Sequence, residues 1–235
     1  MSQKGIVILR SSAVSPDPSR PATNVVVRPP YALAAVTAAV AAAVTADVLL
    51  GGPLRHLDGR VFADGLPGRG GAWHLWWRTV VNGGQYWLVG SFAALASVLA
   101  ARRRRSGALL VKAGIWLVAS ELLVRGTQIA LARTPPRTGH DAFFADGFLS
   151  YPSGHAANAA ACLLFAAAVT GASRAWTAAA HTAAAGVAVA VVALGYHWPT
   201  DAVAGWALGA FLACLGRIWL AAPYSSSSKL STASS

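Results

Sequence analysis

Three polar clusters interrupt an otherwise apolar chain, and each holds residue types suited to phosphate. The first is Arg125, Gln128, Arg133 and Arg137. The second is Tyr151-Pro152-Ser153-Gly154-His155, and the third is Gly195-Tyr196-His197-Trp198-Pro199-Thr200-Asp201. Guanidinium forks bind phosphate oxygens in bidentate fashion. A helix opened by Pro152 leaves the amides of Ser153, Gly154 and His155 as free donors, which bind phosphate, and glycine allows close approach. Asp201 follows His197 by four residues, so its carboxylate can accept from Nδ1–H. That contact would fix the tautomer and leave the Nε2 lone pair free, as a nucleophile or base requires.

Plainer readings stand beside these. Pro-Ser-Gly is an ordinary helix start, and Asp201 suits the first turn of a helix. Glu121 and Arg125, four apart, can form an ion pair that makes both tolerable in lipid. Arg133 has no acidic neighbour in the sequence, which points to an anionic partner. Two imidazoles and a carboxylate kept among apolar segments, with arginines nearby, together suit phosphoryl transfer. That chemistry needs no metal. His140, Asp141, His155, His197 and Asp201 are the alternative metal set, and their spacing matches no compact signature such as HExxH.

The elements that must carry these clusters follow from composition. Of 235 residues, 55% are hydrophobic and 11% charged; a soluble domain has about a quarter charged. This excludes a disordered chain and an ordinary soluble enzyme. The net charge of +11 is distributed between apolar runs rather than gathered on one face, so it reads as membrane topology and not as nucleic-acid binding. Cys162 and Cys214 lie inside apolar runs and read as small buried side chains.

The expected fold is all-α, a polytopic membrane bundle of six transmembrane helices plus an interfacial helix. The spans are 31–50, 86–101, 107–132, 152–170, 175–195 and 200–220, each near the length that crosses a bilayer core. Segment 51–85 is amphipathic, and Trp73, Trp76 and Trp77 at helical spacing predict a helix in the headgroup layer. Residues 1–29 and 223–235 read as flexible tails around a membrane domain over 30–222. A small-residue stretch at 43–46 resembles a signal-peptide cleavage site, but the long polar lead-in argues against one. Six spans put both termini on one side. That side carries eleven basic residues, the run Arg102–Arg105 among them, against six on the other. The termini are therefore expected in the cytoplasm and all three clusters at the outer face.

With those residues in place, the chain resembles the type-2 phosphatidic acid phosphatases, integral-membrane lipid phosphate phosphatases. Their signatures are K-x6-R-P, P-S-G-H and S-R-x5-H-x3-D. Pro152-Ser153-Gly154-His155 matches the second, and His197 with Asp201 matches the H-x3-D half of the third. The resemblance covers roughly residues 50–215. The chain departs from it where the signatures carry cations: Gln128 and Pro135 stand at the lysine and arginine of the first, and Ala190 and Val191 at the Ser-Arg of the third. The resemblance implies a metal-free, cofactor-free hydrolase acting on a phosphorylated membrane lipid. His197 would be the nucleophile, Asp201 would orient it, and His155 would protonate the leaving group. Ser153, Gly154 and Arg133 would hold the phosphoryl oxygens, with Arg125, Arg133 and Arg137 expected to compensate for the missing cations. A non-catalytic lipid-phosphate binder or transporter of the same fold is the alternative.

Overall fold

The computed structural model describes residues 30–221 and is helical throughout, with no strand among the described residues. The expected tails lie outside that range. The helices are α1 (Tyr31–Leu49), α2 (Pro53–Val61), α3 (Gly71–Asn82), α4 (Tyr86–Arg104), α5 (Gly107–Leu131), α6 (Gly154–Thr170), α7 (Arg174–Ala193) and α8 (Pro199–Ala221). A short 3-10 turn, Pro136–Thr138, lies in the connection between α5 and α6.

Four helices, α1, α5, α7 and α8, are each long and apolar enough to cross a membrane. α3 and α4 qualify as a pair bent by 43°, and α6, with 17 residues, falls short. Length and composition alone therefore give four to five candidate spans, where the sequence predicts six. The expected single interfacial helix is two, α2 and α3, separated by the glycine- and proline-containing stretch 62–70. Trp73 and Trp76 are exposed on α3, while Trp77 packs toward a buried cluster of Val81, Ala190, Val191 and Leu194. α4 runs past the expected end through Arg102, Arg103 and Arg104, whose charges suit a helix C-terminus, and stops at Arg105 in the left-handed region.

α6 is the most enclosed helix, and its alanine-rich sequence explains why. Small side chains let backbones approach closely, the usual basis of helix packing in lipid. α8 approaches through glycines: a Cβ on Gly209 would sit 2.2 Å from the Ala157 carbonyl oxygen, and one on Gly205 would sit 2.4 Å from that of Ser153. Farther along, Trp116 of α5 stacks on Phe165 of α6, with ring centroids 3.8 Å apart. The Trp116 indole N–H donates to the Leu212 carbonyl of α8 at 3.0 Å. This packing brings the start of α6, the start of α8 and the end of α5 to one end of the bundle, opposite the arginines that end α4.

Candidate active site

Helix starts fix both histidines. α6 begins at Gly154, two residues after Pro152, because Ser153 is the cap: its Oγ accepts from the Ala156 amide at 3.4 Å. Ser153 N–H is also engaged, donating to the Asp201 carbonyl at 2.9 Å. Of the three amides expected as phosphate donors, those of Gly154 and His155 remain open. α8 starts at Pro199 as expected, and Asp201 accepts from the Trp198 amide at 3.0 Å, closing that helix start from within.

The two imidazoles meet, with ring centroids 6.3 Å apart at 67°. They line a cleft of about 360 Å³ together with Gly154, Arg125, Gln128 and Asn158. The break between α3 and α4 forms the rim. Gly84 is required there, since a Cβ would lie 2.7 Å from that of His155. His197 is held differently from the sequence expectation. Its Nδ1 lies 2.8 Å from the Ser150 carbonyl oxygen and 3.6 Å from Asp201 Oδ2. The Nδ1–H donor therefore goes to the backbone, and Asp201 acts one step removed by accepting from the Ser150 hydroxyl. The consequence for Nε2 is the same: its lone pair is left free.

Arg133 has acidic neighbours after all, brought from distant parts of the chain. Its Nε donates to Asp141 (2.8 Å), Nη1 to Thr200 (2.8 Å) and Asp201 (2.6 Å), and Nη2 to Asp58 (2.8 Å) and Asp141 (2.9 Å). Five bonds use all five guanidinium donors. The side chain has no exposed surface and lies between the rings of Phe143 and Trp198. Arg133 thus has no donor left to offer a phosphate. Burial works against its charge, but Asp141, Asp201 and Asp58 outweigh that and hold its pKa above the usual arginine range. Burial pushes the Asp58 carboxyl up despite bonds from Thr200 and Arg133. Burial also opposes ionisation of Asp141, yet Arg133 and Arg55 bring its pKa below the ordinary value.

Two further arginines complete the expected set. Arg125 lines the cleft, half-exposed, with Glu121 3.5 Å away in the expected pair. Arg137 lies against the end of α7, donating to the Leu194 carbonyl and standing 5.6 Å from the Tyr196 ring centroid. It is not among the residues lining the cleft. Val191 is fully buried with Val81, Leu194 and Ala202, so apolar packing fills the place of that signature arginine. Of the alternative metal set, Asp141 is part of the Arg133 cluster and His140 is exposed.

Sequence reasoning missed Asp58, Ser150 and Asn158. Asp58 of α2 accepts the Thr200 amide at 3.0 Å and also the Thr200 hydroxyl, capping α8 from another helix. No local pattern announces a cap supplied from 142 positions away. Asn158 had a signal: it follows His155 by three residues and so shares its helix face.

Residues 110–224 match the family model of the PAP2 superfamily. The fold is similar to the crystal structure of a transmembrane PAP2-type phosphatidylglycerolphosphate phosphatase from Bacillus subtilis. The TM-score is 0.57 at 19% identity, over 80% of this chain and 94% of that one. No curated protein gives a significant match.

Proposed function

We propose that this chain, whose residues 110–224 match the PAP2 superfamily model, is a multi-pass membrane phosphatase of that superfamily acting on a lipid phosphate or diphosphate. The observation that carries this reading is the meeting of His155 and His197 in one cleft, with His197 Nδ1 on a backbone carbonyl. His197 Nε2 then attacks phosphorus, a phosphorus–nitrogen bond forms, and the bond to the leaving oxygen breaks. His155 gives its proton to that oxygen. Water, deprotonated by His155, next attacks the phosphohistidine, and inorganic phosphate leaves with His197 restored. Asp201 supports His197 through Ser150, and the open amides of Gly154 and His155 face the phosphoryl group as helix-start donors. Arg125 is the cation of the cleft. Ser153 serves by capping α6, while Arg133 and Arg137 act at a distance by holding the loops.

The distribution of basic residues supports cytoplasmic termini and a cleft at the extracytoplasmic surface. Substrates of fitting chemistry are polyprenyl phosphates or diphosphates, phosphatidic acid and phosphatidylglycerol phosphate. The test is release of phosphate from these lipids by the detergent-purified protein in EDTA, with phosphohistidine trapped by acid-sensitive labelling and absent from His197→Ala. A need for added metal would overturn the mechanism.

A second reading has its own support. Gln128 and Val191 replace cations, and loss of one preorganised contact to developing charge commonly costs ~10²–10³ in rate. A chain that binds phosphorylated lipid but hydrolyses none of the panel would be a binding or transport protein of this fold.

A further inference from the structure

At the end of the bundle away from the cleft, charge is one-sided. Arg102 to Arg105, Lys112, Arg174 and Arg217 gather there, and among the described residues no carboxylate joins them. Two of these cations are engaged. Arg104 Nη2 donates to the Val169 carbonyl at 3.0 Å, near the end of α6, and Lys112 Nζ donates to the Trp219 carbonyl at 3.2 Å. Arg217 differs. It is half-buried, yet none of the described residues gives it a hydrogen bond or an ion pair. It stands one turn before the end of α8, a helix long enough to cross a membrane, and so falls near the depth of lipid phosphates. Arg217 lines a cavity of about 450 Å³ with Arg104 and His181, and Leu33, Leu164 and Leu220 form its apolar wall. His181 also has no hydrogen-bond partner among the described residues. The cavity follows α8 from Ala210 to Ala221, about 16 Å at 1.5 Å per residue. That is deeper than a headgroup and fits the first part of an acyl chain.

We propose that this cavity holds an acidic glycerophospholipid of the surrounding bilayer, as a second lipid site at the far end from the cleft. Its phosphodiester lies against the Arg217 guanidinium, whose fork can meet two phosphate oxygens, and Arg104 adds charge. One acyl chain follows Leu33, Leu164 and Leu220 between the helices. Basic pockets between membrane helices recognise acidic lipid headgroups by this combination. The chain's own end segments are poor occupants. Residues 1–29 carry Lys4, Arg10, Arg20 and Arg28 against Asp17, and residues 222–235 carry Lys229 and no acidic side chain. Neither complements a cationic cavity. The site rests on the membrane reading of the chain and is independent of hydrolysis in the cleft.

The test places the full-length protein in nanodiscs of phosphatidylcholine mixed with phosphatidylglycerol. Lipids that stay bound through detergent extraction are then identified by native mass spectrometry. Phosphatidylglycerol has a charged phosphodiester and no terminal phosphate, so it offers the cleft no monoester to hydrolyse. The unaltered protein is expected to retain phosphatidylglycerol in preference to phosphatidylcholine. Arg217→Gln should lower that preference about fivefold, and Arg217→Lys should restore part of it. Arg103→Gln removes an exposed arginine of the same end that does not line the cavity, and should leave the preference nearly as it was. Equal retention of the two lipids by the unaltered protein, or retention of neither, overturns the proposal even if Arg217→Gln fails to fold. A preference untouched by Arg217→Gln places the lipid elsewhere and overturns it too. So does an equal loss in Arg217→Gln and Arg103→Gln, which would mean diffuse attraction to a basic surface. Displacement of the lipid by soluble glycerol phosphate would show a site for the headgroup without the chain, and would also overturn it.

Discussion

Two polar regions lie side by side at one end of the bundle, and they are built on opposite terms. Around Arg133 every donor has an acceptor: five guanidinium N–H groups meet three carboxylates and a hydroxyl, with the guanidinium itself buried against two aromatic rings. Along the cleft the reverse holds, with a buried Gln128 oxygen left without a partner, an unbonded Asn158 amide and two imidazoles in the lining. Satisfied polar groups in a low-dielectric interior rigidify a fold, and unsatisfied ones are tolerated where a ligand completes them. Charge alone does not mark the place left open to a ligand. Among the described residues Arg133 is the most highly bonded charge, and none of its donors is left over for a ligand.

The sharpest way to break this contrast is to alter one member of each region and ask which property fails. His197→Ala is expected to lower phosphate release by about 10³-fold or more, since in the proposed mechanism it removes the attacking atom, with the melting temperature in detergent unchanged. A variant that melts early would move His197 to the structural side. Arg133→Met should do the opposite first. Removing one partner of a buried ionic cluster costs about 3–5 kcal/mol, so thermal unfolding should shift well down even where residual activity survives. Unchanged melting would show that the cluster bears no weight. Asp58→Ala leaves the Thr200 amide and hydroxyl and one guanidinium N–H without an acceptor, and should cost about 1–3 kcal/mol by the same measurement.

The smallest effect is in pH. A carboxyl whose folded pKa lies below its unfolded one contributes stability that is complete above the unfolded value and is lost as pH falls through the folded one. Asp141 is of this kind, below its ordinary 3.8. Asp58 is raised, so its contribution has the opposite sign and is lost as pH rises through its folded value. Melting temperature followed downward from neutral pH should therefore fall less steeply in Asp141→Asn than in the unaltered protein near and below pH 3.8. A steeper fall would reverse the assignment.

The sequence was legible where chemistry is local. Pro152-Ser153-Gly154-His155 and His197-Trp198-Pro199-Thr200-Asp201 open neighbouring helices, and antiparallel packing of apolar spans was enough to expect them together. Arg133 was illegible because its partners come from α2, from the loop before α6 and from α8, so that only folding supplies them. His197 was half legible. A carboxylate four residues away is the obvious partner for Nδ1, yet the turn brings the Ser150 carbonyl closer, and backbone acceptors leave no trace in side-chain identity. The interfacial segment shows the same limit in the fold. Its tryptophan spacing placed α3, but the separate α2, which carries Asp58, has only a short amphipathic pattern to announce it.

The cap that Asp58 places on α8 reaches from outside the stretch that matches the superfamily. Gly84, at the lip over His155, also lies before residue 110. Excising 110–224 alone, or grafting it onto another protein's leading helices, would discard a brace of α8 and a wall of the cleft. The stretch of chain that builds this cleft is thus longer than the stretch that carries the resemblance.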